Sequence, residues 1–201
     1  MQRHDLFHPA PRGWSEVLDR AWDAEARACL THWRDHDLPL IVSRQPAAMP
    51  AGMVALGLPA PACWSRRRLA LHLPADLLDR RAALPAVERV GGLPAGLAAA
   101  VKTARVAGSF GWQRLTGLRY VRPQSDIDLL VDVADASAAD AAAALLGDWK
   151  HAGPRLDGEL IFATGAAVAW REWAAVRGTS AGRVLVKRLH GAALEDPAVL
   201  A

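Results

Sequence analysis

Asp126 and Asp128, in the run Ser125-Asp126-Ile127-Asp128-Leu129-Leu130-Val131, place two carboxylates two positions apart in a segment that otherwise reads as a buried strand. Side chains alternate across a strand, so both acids project from one face, roughly 6.5–7 Å apart along the chain. Two such acids repel each other unless something positive lies between them. A divalent cation bound to triphosphate oxygens is a common reason for the arrangement, because Mg²⁺ takes one or two carboxylates together with substrate phosphates. Just upstream, in Val106-Ala107-Gly108-Ser109-Phe110-Gly111-Trp112-Gln113-Arg114-Leu115-Thr116-Gly117, an apolar run ends at Gly108-Ser109 and a short helix with a glycine stop is expected from Phe110 onward. Glycine lets backbone approach a ligand closely, Ser109 can cap the helix and hydrogen-bond a phosphate oxygen, and the unpaired N–H groups at the helix start attract anions. The order and spacing set a phosphate cradle, Gly108 and Ser109, beside metal-binding carboxylates, Asp126 and Asp128.

A Gly-Ser turn followed after one helix by Asp-x-Asp resembles the nucleotidyltransferases of the DNA polymerase β type. More narrowly, Gly108 to Gly117, Tyr120, Ser125 to Leu130, Leu156-Asp157-Gly158-Glu159-Leu160 and Val168-Ala169-Trp170-Arg171-Glu172-Trp173 look like the phosphoribosyl-dephospho-CoA transferases, the malonate decarboxylase holo-acyl-carrier-protein synthases. The opening Arg3-His4-Asp5-Leu6 and the segment Val54-Ala55-Leu56-Gly57-Leu58-Pro59 fit the same family, so the resemblance spans nearly the whole chain. It implies that a serine hydroxyl of the apo acyl-carrier subunit of malonate decarboxylase attacks the α-phosphate of 2′-(5″-triphosphoribosyl)-3′-dephospho-CoA, releasing pyrophosphate. Asp126 and Asp128 would then hold Mg²⁺, with Gly108 and Ser109 on the phosphates. Two-metal use is expected only by analogy. Such enzymes usually draw a third carboxylate from a neighbouring strand, and Asp157 and Glu159 both qualify. Asp-Gly is also a hairpin signal, which would make Asp157 structural and favour Glu159; the spacing leaves both open.

The same Gly108, Ser109, Asp126 and Asp128 would also serve a nucleotidyltransferase that adds a nucleotide from an NTP to a small molecule, RNA or protein. A binding module with a decayed site is a further alternative, disfavoured because every expected position holds a competent residue type.

The 201 residues, 52% hydrophobic, suffice for a full core. A net charge of +3 and a pI near 9.3 suit an acidic ligand or partner and are too mild to argue for nucleic acid. Arg66-Arg67-Arg68 is the one basic cluster, fit for phosphates or an acidic carrier or for a solvated strand edge. Lys102, Arg105, Arg114, Arg119 and Arg122 flank the expected triphosphate site, and Arg114, on the helix itself, is expected to bind the donor with Gly108 and Ser109. Cys29 and Cys63 are the only cysteines, so no disulfide framework is expected and a reducing, cytoplasmic setting follows, with no leader-like or membrane-spanning apolar stretch. Cys29, His32 and His36 could share a helix face, but no fourth metal ligand accompanies them.

An α+β chain is expected, divided at 85–95 into a small N-terminal module, 1–88, and a nucleotidyltransferase-like catalytic domain, 89–201, with a mixed sheet and flanking helices. In the first, Trp14 to Leu18 and Ala21 to Trp33 show helical spacing, and Leu40 to Val42, Met53 to Gly57 and Arg68 to Leu73 read as strands. The module would hold the CoA-like part of the donor or the carrier, or act as scaffold. In the second, a helical stretch after Pro85, an alanine-rich helix from about Asp135 to Leu146 closed by Gly147, and strands near 155–162 and 166–173 are expected. Val184 to Arg188 reads as a strand or the start of a last helix, with Lys187 exposed or on a phosphate. Trp112 reads as core or as a base-stacking platform, and Arg171 with Glu172 as a local ion pair on the outer face.

Overall fold

The computed structural model divides into two units, Met1–Leu84 and Pro85–Ala201. The structure describes residues 1–94, 96–149, 153–177 and 182–200. In the first unit, strands β1 (Leu6–Pro9), β2 (Leu40–Val42), β3 (Met53–Pro59), β4 (Arg68–Pro74) and β5 (Leu78–Ala82) form an antiparallel sheet in the order β4-β3-β2-β1-β5. Along β4, Leu69, Leu71 and Leu73 are buried while Arg68, Ala70 and His72 are exposed, the period-two pattern of a sheet with one wet face. Helix α1 (Pro11–Leu18) starts with proline in its first turn, where no N–H is needed, and buries Trp14 and Val17. Helix α2 (Ala24–Asp35) is capped by Asp23, whose carboxylate accepts from the Ala26 N–H at 2.8 Å. It buries Ala26, Cys29, Leu30 and Trp33, a stripe at i, i+3, i+4 and i+7.

Burial pushes the Cys29 thiol up to about 12, which removes it as a thiolate ligand. His32 and His36 stack on each other at 3.8 Å instead of converging on an ion. Arg67, in the basic cluster, is engaged by Asp23 and Glu25. Strands β1 and β5 were missed in the sequence because Leu6–Pro9 is only four residues long and Leu78–Ala82 carries three exposed polar positions, so neither shows a readable period.

The second unit is built on a mixed six-stranded sheet in the order β11-β10-β9-β8-β7-β6. Its strands are β6 (Arg105–Val106), β7 (Ile127–Val133), β8 (Leu156–Phe162), β9 (Ala167–Ala169), β10 (Val184–Arg188) and β11 (Gly191–Glu195), and only β7 and β8 run parallel. Helices α3 (Leu97–Ala100), α4 (Gly108–Thr116), α5 (Ala136–Asp148) and α6 (Trp170–Val176) complete it. One sheet face, carrying Ile127, Leu129, Val131, Val133, Leu156, Leu160 and Phe162, shares a core with Ala139, Ala143 and Leu146 of α5 and Trp170 and Trp173 of α6. The chain is therefore α+β.

Two local expectations differ, and at a third place the strand reading holds over the turn. Residues 166–173 do not form one strand: β9 stops at Ala169, and Trp170 opens α6. A short helix lets Trp170 and Trp173, three apart, turn to the same core. Gly147 does not close α5, which runs on to Asp148. Asp157-Gly158 is not a hairpin turn but lies inside β8, paired with Asp128-Leu129. Gly158 is needed there because its φ is +133° and a Cβ would sit 1.8 Å from the Leu129 carbonyl oxygen. Gly158→Ala is expected to destabilise the protein by about 3 kcal/mol or more. A urea midpoint equal to that of the wild type would show that β8 can move off β7.

Candidate active site

The segment joining α4 to β7 is tied down residue by residue. Helix α4 ends at Gly117, left-handed with φ +71°, and the chain folds back along the helix. The Gln113 side-chain oxygen accepts from the N–H groups of Tyr120 (3.1 Å) and Val121 (3.0 Å). Thr116 Oγ1 donates to the Trp112 carbonyl and accepts from the Leu118 N–H. Buried Trp112 stacks on Tyr120 with ring centroids 6.5 Å apart, so it is core and not a base platform. Ser125 is buried as well; its hydroxyl accepts from the Arg122 N–H at 2.9 Å and its N–H donates to the Arg122 carbonyl at 3.0 Å. That closed turn delivers Asp126 to the start of β7.

Four carboxylates then meet on the sheet face opposite the helical core. In the β7–β8 ladder Asp128 pairs with Asp157 and Leu130 with Glu159, and paired residues share a face. Asp126 precedes β7 on that same face. The Ala107 N–H donates to the Asp128 carbonyl at 2.8 Å, bringing the start of α4 against β7 at the acid itself. Gly108 consequently packs on the Asp128 carboxylate, where a Cβ would come within 1.8 Å of Oδ2 and where its φ is +55°. Helix α4 begins at Gly108, with Ala107 at the N-cap and no side-chain cap, so Ser109 lies in the first turn and does not cap it.

The charges are unequally compensated. Arg155, one residue before β8, reaches Asp126 at 2.7 Å and Asp157 at 3.0 Å. Its hydrogen bond and charge, with Arg171 behind, hold the Asp126 carboxyl below the usual carboxylate range against a smaller effect of burial. Asp128 is pushed the other way, first by burial and then by the negative charges of Asp157, Asp126 and Glu159. Glu159 is engaged by Lys187 Nζ at 2.7 Å, across the small side chains of β9, and its side chain is only 11% exposed. Asp157 Oδ1 accepts from the Gly158 N–H at 2.8 Å. Among the described residues no three His, Cys, Asp or Glu side chains converge into a ready metal cage. Hard carboxylate oxygens in a pair, short of a cage, suit a Mg²⁺ ion that arrives with phosphate ligands.

The fold thus brings together Gly108, Ser109, Asp126, Asp128, Asp157 and Glu159. Arg114 donates through Nε to the Arg89 carbonyl at 2.8 Å. Arg171 and Glu172 do not pair with each other: Arg171 donates to the Leu156 carbonyl and lies 4.2 Å over the Trp170 ring, while Glu172 accepts from the Leu185 N–H. Sequence reasoning missed Arg155 and Arg171 as the cations nearest Asp126. Arg155 stands two residues before Asp157, so the alternation that placed Asp157 on this face could have found it.

Both units match one family. The Phosphoribosyl-dephospho-CoA transferase MdcG N-terminal domain matches residues 2–83, and the MdcG C-terminal domain matches residues 70–198. Relatives called phosphoribosyl-dephospho-CoA transferase include one from Bradyrhizobium diazoefficiens, 39% identical, covering 96% of this chain and 89% of the relative. Another, from Xanthomonas campestris pv. campestris, is 36% identical over 90% of this chain and 89% of its own length. A third, from Pseudomonas syringae pv. tomato, is 32% identical over 79% and 78%. No solved structure matches the chain significantly. The protein is a transferase, and the chain belongs to the phosphoribosyl-dephospho-CoA transferase family. No helix of the described residues is long and apolar enough to cross a membrane.

Two consequences are measurable. Gly108→Ala is expected to leave the far-ultraviolet circular dichroism intact while lowering transfer at least about tenfold, since its methyl group must displace the Asp128 carboxylate. Asp128→Asn should raise the thermal midpoint in EDTA at pH 7 by a few degrees, because it removes a half-buried, repelled charge. The raised Asp128 binds its proton more tightly folded than unfolded, so its ionisation costs stability as pH rises. The gain from the amide therefore shrinks as pH falls toward the carboxylate range, where the wild-type group is already neutral. A gain that grows with acidity would contradict this assignment.

Proposed function

We propose that this enzyme, by a nucleotidyltransferase-type reaction, transfers the phosphoribosyl-dephospho-CoA prosthetic group from 2′-(5″-triphosphoribosyl)-3′-dephospho-CoA to a serine of the apo acyl-carrier subunit of malonate decarboxylase, in the cytoplasm. The observation that carries this reading is the Asp128–Asp157 pairing beside Gly108, within a chain that matches the family over both units. The serine oxygen forms a bond to the α-phosphorus, the bond from that phosphorus to the bridging oxygen breaks, and pyrophosphate leaves. Gly108 and Ser109, at the start of α4, bind phosphate oxygens through main-chain N–H groups and the hydroxyl. Asp126 and Asp128 would hold Mg²⁺, which when bound neutralises the triphosphate and the departing pyrophosphate.

Asp157 takes the proton from the serine hydroxyl. It is in register with Asp128 and one-third exposed, whereas Glu159 is more deeply buried and already neutralised by Lys187. Glu159 and Lys187 instead form a wall that keeps the acidic face from spreading. Arg114, engaged with Arg89, contributes by fixing α4 rather than by touching the donor.

Incubating the enzyme with donor, Mg²⁺ and apo carrier, then weighing the carrier, tests the reading. A mass gain of one phosphoribosyl-dephospho-CoA group, lost in EDTA and reduced at least about 100-fold by Asp126→Asn or Asp128→Asn, is expected. Asp157→Asn should cost about 100-fold or more in rate, and Glu159→Gln about tenfold or less. An unmodified carrier, or a carrier that gains only a nucleotide from an NTP, overturns the proposal.

A further inference from the structure

Among the described residues Arg155 alone hydrogen-bonds two of the four carboxylates, and it is held loosely. Its Nη2 lies 2.7 Å from Asp126 and 3.0 Å from Asp157, while its side chain remains 57% exposed. Beyond those two bonds, its guanidinium also feels the charge of Asp128. Arg171, the second cation acting on Asp126, is held quite differently: its guanidinium is stacked on Trp170 and hydrogen-bonded to the Leu156 carbonyl. One of the two arginines is therefore fixed by neutral protein groups, and the other is held only by acids that a divalent cation would claim.

We propose that Arg155 is an exchangeable counter-ion and a positioning residue for the donor. In the ligand-free protein its guanidinium bridges Asp126 and Asp157; when a divalent cation enters with the triphosphate, the guanidinium leaves the acids and turns to a phosphate oxygen. This rests on the metal reading of Asp126 and Asp128 given above. Exposed ion pairs contribute little, so the bridge yields easily to a doubly charged ion. The main chain does not have to move, because the Ile127 N–H holds the Arg155 carbonyl at 2.9 Å and anchors the residue to β7. A planar guanidinium fork also matches two phosphate oxygens, which makes the released side chain a ready ligand for the incoming tail. Metal entry without phosphate is disfavoured by the same device, since the cation must then displace Arg155 with nothing to receive it.

The test is a titration of the full-length protein with Mn²⁺, following unbound Mn²⁺ by electron paramagnetic resonance, with and without inorganic tripolyphosphate. Without tripolyphosphate, Arg155→Ala should bind Mn²⁺ about tenfold more tightly than the wild type, the scale of one screened contact between charges, with Arg155→Lys in between. With tripolyphosphate present the order should invert, Arg155→Ala binding the metal–phosphate complex more weakly. Arg155→Gln replaces the alanine variant if that one does not fold. Equal Mn²⁺ affinity in the wild type and the charge-removing variants, or tripolyphosphate binding indifferent to Arg155, overturns the proposal while leaving the metal site standing. Failure of every form, wild type included, to take up Mn²⁺ under either condition removes the metal reading itself.

Discussion

The parallel register of β7 against β8 is the constraint from which the site follows. It sets Asp128 beside Asp157 and Leu130 beside Glu159, so that four acids share one sheet face. Neighbouring strands lie within about 5 Å of each other, close enough for these charges to work against one another. Two details permit that register. Gly158 has no side chain to strike the Leu129 carbonyl, and the Arg155 carbonyl continues the ladder to Ile127. A one-residue slip of β8 would turn Asp157 and Glu159 into the apolar core and Leu156 and Leu160 out of it. The hydrophobic pattern of the strand and the chemistry of the site therefore enforce the same alignment.

Compensation around the acids is graded rather than uniform. Glu159 is neutralised by Lys187, and Asp126 and Asp157 share an exposed arginine, while Asp128 carries its charge against both burial and repulsion. That gradient gives residues of one chemical type different surroundings: Glu159 is paired and nearly covered, Asp126 and Asp157 share one exposed cation, and Asp128 keeps its charge least compensated. Strain of this kind is kept only where the rest of the unit holds it, and here the helical core on the opposite face does so. Trp173, fully buried, donates to Asp140 of α5, which also receives Arg177, locking α6 to α5 behind the sheet.

The motif Trp112-Gln113-x-Leu115-Thr116-Gly117, which narrows the chain to its family, is largely architectural. Gln113 and Thr116 satisfy main-chain groups of the returning segment, Trp112 stacks on Tyr120, and Gly117 ends the helix. These groups determine where Asp126 enters the sheet. Val168 to Trp173 works the same way, since small Ala169 lies beside Glu159 and the following helix supplies both Trp170 to the core and Arg171 to the vicinity of Asp126.

Asp126 and Asp128 on one face, a short helix after Gly108-Ser109 stopped by Gly117, the apolar stripe of α2 and the alternation of β4 were all legible in the sequence. Each depends on the local period of a helix or strand, which nearest neighbours along the chain dictate. The different surroundings of Asp157 and Glu159 were not legible, because both alternate onto the same face and only the tertiary structure brings Lys187, 28 residues later, against one of them. The Asp-Gly pair read equally as a turn or as part of a strand, and only β7 alongside, which requires a residue without a Cβ, decided for the strand. Arg155 was likewise undistinguished among many arginines, and Arg171 read as a partner of Glu172 rather than of Leu156 and Trp170. Their meaning comes from charges and rings that approach through space, and sequence spacing carries no information about such contacts.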